Sequence, residues 1–416
     1  MNELATTLLQ IIIVVLAGRA CGALLKRFRQ PVVVGEVVAG IILGPSLFGR
    51  LAPDAFAAVF PAHSVSILLS LSQVGLIFFM FLVGLEFAPG LMRERRESII
   101  VISHISIIVP FLLGTGLALY LYPRVSDASV PFRSFALFLG TSMSITAFPV
   151  LARILEERHL LRSRMGNSVI ACAAVDDVTA WCILAFVVVV ARASDPAQLG
   201  VRLGLVAVYA IAMIAGVRPL LRKLLPRVKQ LSDEAVLAAV LLVVLASSTL
   251  TELLGIHALF GAFLVGAILP RDAQLTQTLV AQTRGLTRVI FLPLFFAVTG
   301  LRTNVGLLSG PGLWLCCALV LVVAVGGKLG GAMFSAKASG FSWRESAAVG
   351  VLMNTRGLME MVVLNVGLDI GVISRGLFTM IVIMALVTTA ATTPLLDRLV
   401  HGLRELPAGG EVDVAA

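Results

Sequence analysis

The chain has 416 residues, of which 59% are hydrophobic and 13% are charged, against about 25% charged residues in an ordinary soluble domain. A surface this poor in charge is incompatible with a water-soluble fold, so we expect an integral membrane protein. The net charge of +9 does not indicate nucleic-acid binding, because the basic residues fall mostly in short loops and form no basic arm or aromatic-interleaved patch.

Apolar runs separated by loop signals predict thirteen membrane spans, since a helix needs about 20 apolar residues to cross the hydrocarbon. The predicted spans cover residues 6–25, 31–44, 65–89, 99–122, 134–151, 166–191, 201–220, 232–250, 254–270, 287–304, 312–336, 346–367 and 376–396. We therefore expect an all-α polytopic membrane protein. One transmembrane domain covers residues 1–397, and a short cytoplasmic tail covers residues 398–416.

The distribution of Lys and Arg between the loops predicts the direction of the spans. With the N-terminus outside the cell, the inner loops hold 22 Lys and Arg residues and the outer loops hold 7. A missed or extra span would exchange inner and outer loops after it, and the basic residues would then be divided more evenly between the two sides. The asymmetry therefore favours thirteen spans, with the N-terminus outside and the C-terminus in the cytoplasm.

Two of the predicted spans contain features of broken helices. The segments TSMSITAFPVLAR (141–153) and FLPLFFAVTGLRTNV (291–305) each combine a proline with small polar residues in an apolar stretch. Proline removes a backbone hydrogen bond, which is tolerated in mid-membrane where the freed groups line a cavity or meet other protein. Five crossings separate the two segments, so they run in opposite orientations, as the inverted repeats of a transporter require.

Ionisable residues inside the spans are costly, so each is a candidate for function. Asp176 and Asp177, in AAVDDVTAW, lie near the middle of the span at 166–191 and point about 100° apart on a helix. Lys328, in VGGKLGGA, is the one lysine within an apolar segment. A structural ion pair between Lys328 and one acid leaves the other acid unexplained. The second carboxylate therefore favours a role in ion transport.

Four other ionisable residues have weaker claims as access or structural residues. Arg356 and Glu360, in NTRGLMEM, are four residues apart and share one helix face, so they either neutralise each other or contribute to ion access. Glu252 lies near the end of a span. Glu86, in FLVGLEFAPG, is expected to face a water-filled vestibule.

Five stretches carry a resemblance to a known family: TSMSITAFPVLARIL, AAVDDVTAW, LGIHALFGAFLVGAILP, FFAVTGLRT and LMNTRGLMEMVVLNVG. They resemble the second branch of the monovalent cation:proton antiporters, which includes plant cation/H⁺ exchangers and bacterial potassium-efflux and sodium/proton antiporters. The resemblance implies a thirteen-helix inverted-repeat fold of the sodium/proton antiporter type. In that fold two broken helices cross near the aspartate helix. A homodimer with interleaved dimerisation and core sub-bundles is also implied.

The resemblance also implies roles for particular residues. Asp177 is expected to carry the ion, binding a cation or a proton in turn, and Asp176 is expected to pair with Lys328. Thr146, together with backbone carbonyls near Phe148, is expected to coordinate the cation where the broken helices cross. No cofactor is expected, and no metal other than the transported alkali cation.

The expected function is secondary active antiport of a monovalent cation, K⁺ or Na⁺, against protons across the cell (inner) membrane, serving pH homeostasis. A buried carboxylate binds a proton more readily than one in water, and a nearby cation opposes this, so one group can exchange the two ligands. If Lys328 also sheds its proton, the exchange is electrogenic. The alternatives are a gated potassium-efflux system and a sodium-coupled symporter of an organic anion. An enzyme is not expected, because the sequence has no GxSxG, HExxH or P-loop motif.

Overall fold

The computed structural model describes residues 3–28, 30–86, 96–158, 160, 163–193, 196–229, 232–270 and 273–401. Within these ranges the secondary structure is helical and no strand is formed. The helices are α1 (Glu3–Lys26), α2 (Val32–Leu43), α3 (Phe48–Leu51), α4 (Pro53–Val59), α5 (Ala62–Glu86), α6 (Arg96–Val125), α7 (Phe132–Ser144), α8 (Phe148–Glu157), α9 (Arg164–Arg192), α10 (Pro196–Ile211), α11 (Arg218–Lys229), α12 (Asp233–Leu253), α13 (Ala258–Ile268), α14 (Ala273–Leu286), α15 (Leu292–Arg302), α16 (Pro311–Ala338), α17 (Trp343–Met353), α18 (Leu358–Asp369) and α19 (Arg375–His401). Wider π-helical turns join α10 to α11 at Ala212–Val217 and α14 to α15 at Thr287–Phe291, and a 3-10 turn forms at Val305–Leu307.

Ten helical stretches in the described part of the chain are long and apolar enough to cross a membrane. They cover Glu3–Lys26, Val32–Leu51, His63–Leu85, Glu97–Val125, Met165–Arg192, Ala197–Leu225, Asp233–Leu253, Thr276–Leu307, Pro311–Ala338 and Arg375–Leu399. The other three predicted spans coincide with helices that are shorter, namely α13 and the pairs α7–α8 and α17–α18. The polytopic helical architecture is confirmed, whereas helix length alone does not confirm the count of thirteen.

Two helical segments are broken in the middle, and one of them is not the predicted one. The first break, at 145–147, separates α7 from α8 and lies inside the predicted segment 141–153. The second break, at 354–357, separates α17 from α18. The two breaks fall in the fifth and the twelfth predicted spans, which are seven positions apart. Because this difference is odd, the predicted count still gives the two broken segments opposite orientations.

The prediction of a break at 291–305 is wrong. Helix α15 runs without interruption from Leu292 to Arg302, with Pro293 in its first turn. The π-helical turn directly before it changes the backbone hydrogen-bond register. A proline is accommodated at such a position, because the N–H that it lacks would find no regular partner there.

Packing separates most of the helices into two groups. Helix α16 packs on α6, α17 and α19, and α7 packs on α6 and α9. In the second group α2 packs on α1 and α15, and α13 packs on α5 and α12. Gly40 of α2 and Gly300 of α15 allow the closest approach, because a Cβ atom at either would overlap the backbone of the other helix.

The C-terminal helix is longer than predicted. Helix α19 continues to His401, past the predicted boundary at residue 397. Residues 402–416, which hold most of the predicted cytoplasmic tail, lie outside the described residues.

Candidate functional site

Asp176 lies near the middle of α9, is fully buried and accepts four side-chain hydrogen bonds. Its Oδ1 accepts from Ser103 Oγ at 2.7 Å. Its Oδ2 accepts from Ser106 Oγ at 2.9 Å, from Thr146 Oγ1 at 2.9 Å and from Lys328 Nζ at 2.8 Å. Donors of this number and kind, one of them cationic, stabilise an ionised carboxylate.

Lys328 balances this charge and is equally buried. Besides Asp176, its ammonium group donates to the backbone carbonyls of Ser106 at 3.0 Å and Ser144 at 2.6 Å. All three donors of the ammonium are therefore used. Asp176 and Lys328 thus form a closed, neutral ion pair whose hydrogen-bonding capacity is largely satisfied, which is the condition under which a buried pair is tolerated.

Asp177 has a different environment, although it is the next residue on the same helix. The residue is 6% exposed, and its Oδ1 has no hydrogen-bond partner among the described residues. The backbone N–H of Phe148 donates to the carboxylate. Because Phe148 is the first residue of α8, this N–H has no intrahelical acceptor and lies at the positive end of the helix dipole. One carboxylate oxygen of Asp177 therefore stays available for a ligand.

The C-terminal carbonyls of α7 are capped by two cationic side chains. Arg356 donates from Nη1 to Ser142 O at 2.6 Å and from Nη2 to Met143 O at 2.5 Å. Lys328 donates to the next carbonyl, that of Ser144. The last carbonyls of a helix lack intrahelical donors and carry a partial negative charge. The two cations therefore compensate a helix end that lies inside the protein.

Arg356 and Glu360 are both fully buried and pair at 2.9 Å. The sequence places them on one helix face, but Arg356 lies in the break before α18, and Glu360 alone is helical. Glu360 Oε1 and Arg356 Nε have no hydrogen-bond partner among the described residues. The pair ties the second break to the end of α7.

The two breaks are also bonded directly to each other. The backbone N–H of Ala147 donates to the carbonyl of Thr355 at 3.0 Å, and Thr146 Oγ1 lies 3.3 Å from the carbonyl of Met353. Backbone groups that lose their helical partners must find others inside a membrane. In this protein each break satisfies part of the other, so the broken helices cross at residues 145–147 and 354–357.

The remaining residues that were predicted from the sequence differ in their contacts from what was expected or lie away from the helix breaks. The hydroxyl of Thr146 donates to Asp176 rather than facing Asp177, and Phe148 offers an N–H rather than a carbonyl. Glu252 accepts from the N–H of Ala258 at 2.9 Å and lines a cavity away from the breaks. Glu86 is the last residue of α5, and its side chain lies outside the described residues.

Ser103 and Ser106 are site residues that the sequence reasoning missed. They lie three residues apart in the apolar segment VISHISII of α6, which puts both hydroxyls on one face of the helix. That spacing is the available sequence signal, but it does not identify the partner on α9.

Crossed helix breaks beside a buried acid pair, in an all-helical protein with membrane-spanning helices, are typical of a membrane transporter. Residues 11–399 match the family described as "Sodium/hydrogen exchanger, transmembrane". The chain belongs to this family, which confirms the resemblance drawn from the sequence. The family consists of secondary transporters and not of enzymes.

Curated relatives cover this chain almost completely. The Na(+)/H(+) antiporter NhaS4 of Synechocystis sp. is 43% identical over 406 residues, which are 96% of this chain and 98% of the relative. Cation/H(+) antiporter 17 of Arabidopsis thaliana is 39% identical over 95% of this chain, and K(+)/H(+) antiporter 1 of Saccharomyces cerevisiae is 35% identical over 88%. The chain spans about half the length of these two relatives, 48% and 43% respectively.

A solved structure has the same fold. The sodium proton antiporter MjNhaP1 from Methanocaldococcus jannaschii superposes with a TM-score of 0.61 over 96% of this chain and 98% of that chain, at 14% sequence identity. The architecture is thus shared although few residues are identical.

Proposed function

We propose that the protein is a secondary active antiporter that exchanges a monovalent cation, Na⁺ or K⁺, for protons by alternating access, with Asp177 as the ion-binding group. The observation that carries this proposal is the buried Asp177 carboxylate with one unpartnered oxygen at the start of α8. The printed names of the relatives, Na(+)/H(+), cation/H(+) and K(+)/H(+) antiporters, support these two ligands.

The charges around Asp177 explain why transport would be coupled. Asp176 is neutralised by Lys328, and Glu360 is neutralised by Arg356. An ionised, empty Asp177 therefore leaves one uncompensated negative charge in a region of low dielectric constant, where charge is costly. A bound proton or a bound alkali cation removes that charge. A centre that moves only when neutral exchanges one ligand for the other.

A second oxygen ligand for the cation is available in the first break, where Thr146 lies two residues before Phe148. The hydrogen of the Thr146 hydroxyl is committed to Asp176, so the lone pairs of its oxygen stay free to coordinate a cation. Hard oxygen donors of this kind suit alkali ions. We infer that Thr146 and Asp177 bind the cation together, with Asp176 held in place by Lys328.

We further propose a topology of thirteen spans, in which α13 and the broken pairs α7–α8 and α17–α18 count as crossings. The division of Lys and Arg, 22 in inner loops and 7 in outer loops, supports an N-terminus outside the cell and a C-terminus in the cytoplasm. The proposed location is the cell (inner) membrane, and the proposed assembly is a homodimer.

The test uses purified protein in proteoliposomes that carry a fluorescent pH indicator and an imposed pH gradient. Antiport predicts that pulses of Na⁺ or K⁺ dissipate the gradient, with Li⁺ as a further probe of selectivity. A potassium-efflux system without obligatory coupling would carry Rb⁺ in the absence of a pH gradient and at a rate independent of pH. No response of the gradient to any alkali cation would refute the proposal.

A further inference from the structure

A second polar cluster joins the two groups of helices away from the breaks. Arg302 of α15 donates from Nη1 to Asn365 Oδ1 at 2.7 Å and from Nη2 to Asp369 Oδ1 at 2.5 Å. Asn365 donates to Thr299 Oγ1 at 2.8 Å, and Gln73 donates to Asp369 Oδ2 at 3.2 Å. These five residues are the Arg302 cluster. Each of the four bonds connects α18 with α15 or with α5.

The cluster lies where the space for water narrows. A cavity of about 340 Å³ is lined by Gln73, Glu252, His257 and Asp369. An adjoining cavity of about 10 Å³ is lined by Thr299 together with other members of the Arg302 cluster, and three of the side chains named above border both cavities. A single water needs about 10–15 Å³ of such space. A wide cavity, lined by both polar and apolar side chains, therefore ends at the cluster.

Helix α18 connects this constriction to the candidate site. It begins directly after the break that holds Arg356, carries Glu360 in its first turn, and carries Asn365 and Asp369 towards its end. It packs on α7 and α19 and also contacts α15, which itself packs mainly on α2 and α5. A movement that carries α18 away from α15 therefore breaks the bonds between Arg302 and its partners Asn365 and Asp369.

The ion pair of the cluster is weak enough to open and close. The side chains of Arg302 and Asp369 are 17% and 29% exposed. Water can therefore hydrate both charges when the pair separates, and such partly hydrated ion pairs contribute little net stability. The side chains of Asp176 and Lys328 are both 0% exposed, so water cannot hydrate their charges in the same way. Of these two, the Arg302–Asp369 pair is the one that can separate in every cycle.

We propose that the Arg302 cluster is a latch that holds one side of the ion path closed, and that it opens during each transport cycle. Arg302 is the positioning residue of the latch, since it binds both Asn365 and Asp369. The inference rests on the proposed antiport function, because the transport cycle in which the latch opens is the antiport cycle. The closed constriction and its opening are measurable without transport.

The first test measures access to Thr299, the fully buried member of the Arg302 cluster that accepts a hydrogen bond from Asn365. Thr299→Cys is made in a background in which the five native cysteines are replaced by Ala. A membrane-impermeant maleimide is then added to one side of sealed vesicles of known orientation. Arg302→Ala is expected to raise the labelling rate from one side about fivefold, equivalent to about 1 kcal/mol lost from the closed state.

Arg124→Ala is the matched control. Arg124 bonds to the Tyr120 carbonyl of its own helix and stacks on the Tyr120 ring, so its loss should leave Thr299→Cys protected. Asp369→Asn serves as the second opening variant where Arg302→Ala does not fold. Unchanged labelling in a folded opening variant would overturn the latch.

The second test closes the latch covalently. A reducible bis-methanethiosulfonate cross-link between Gln73→Cys and Asp369→Cys is expected to stop cation/proton exchange until a reductant is added. Full exchange with the cross-link formed would contradict the latch. If the unmodified protein shows no antiport but Arg302→Ala still opens Thr299→Cys, the proposed function fails and the latch survives. If antiport is normal but Arg302→Ala does not change access to Thr299→Cys, the proposed function survives and the latch fails.

Discussion

Two of the ion pairs that link separate helices in this membrane protein have contrasting surroundings. Asp176–Lys328 is fully buried, and its carboxylate accepts three further hydrogen bonds from hydroxyl groups. Arg302–Asp369 is partly exposed, and its Asp369 borders a cavity of about 340 Å³. The comparison teaches that the same acid–base chemistry gives a permanent structural pair where water is absent and a separable contact where water is present.

A finer contrast lies within the buried region. Asp176 and Asp177 are neighbours on α9, yet the first is saturated with donors and the second keeps an unpartnered oxygen. The roughly 100° turn between adjacent helical residues sends one carboxylate towards α6 and α16 and the other towards the start of α8. Adjacent acids in one helix therefore take different roles.

The largest expected effect separates these two acids. Asp177→Asn is expected to abolish cation/proton exchange in proteoliposomes and leave a monodisperse, folded protein, because it removes the charge that the two ligands share. Thermal unfolding in detergent should differ little from that of the unchanged protein. Full exchange by the purified variant would end the assignment of Asp177 as the ion carrier.

Breaking the buried pair should cost stability. Lys328→Ala leaves Asp176 charged without its cation, and removing one partner of a buried pair costs about 3–5 kcal/mol. The melting temperature should fall further than for Asp177→Asn. The matched control is Asp176→Asn combined with Lys328→Met, which is expected to recover part of the loss. An equal melting temperature for Lys328→Ala and Asp177→Asn would argue against a structural role.

A smaller loss is expected at the first break. Thr146→Val removes one hydroxyl donor from the Asp176 carboxylate, and a hydrogen bond to a charged group contributes about 1.5–3 kcal/mol. The apparent cation affinity of exchange should also fall if the Thr146 oxygen is a ligand. Thr146→Ser keeps the hydroxyl and should restore both quantities. A Val variant with unchanged cation affinity would remove Thr146 from the binding site.

The smallest change in stability is expected at the latch. Arg302→Ala should alter the free energy of unfolding by about 0–1 kcal/mol, as is typical of partly exposed ion pairs, while changing access to Thr299. Thermal unfolding beside the Lys328→Ala variant measures the difference between the two pairs. A loss at Arg302 as large as that at Lys328 would abolish the distinction between a permanent and a separable pair.

Much of the fold was predictable from local properties of the chain. Apolar runs locate the spans because hydrocarbon excludes unpaired polar groups over a fixed thickness, and Pro149 marks the first break. The second break was missed because Arg356 and Glu360, four residues apart, imitate a helical pair. The break at 291–305 was predicted wrongly because Pro293 follows a π-helical turn, which the sequence does not reveal.

The sequence by itself determined that this is a membrane protein with a costly acid pair and one lysine inside its apolar spans. The tertiary structure decided which acid pairs with Lys328, which keeps a free oxygen, and which helices cross. The physical reason is the distance along the chain over which each effect acts. Hydrophobicity and helix periodicity act between near neighbours in the chain. Lys328 and Asp176 are 152 residues apart, so their contact depends on how helices α6, α7, α9 and α16 pack together.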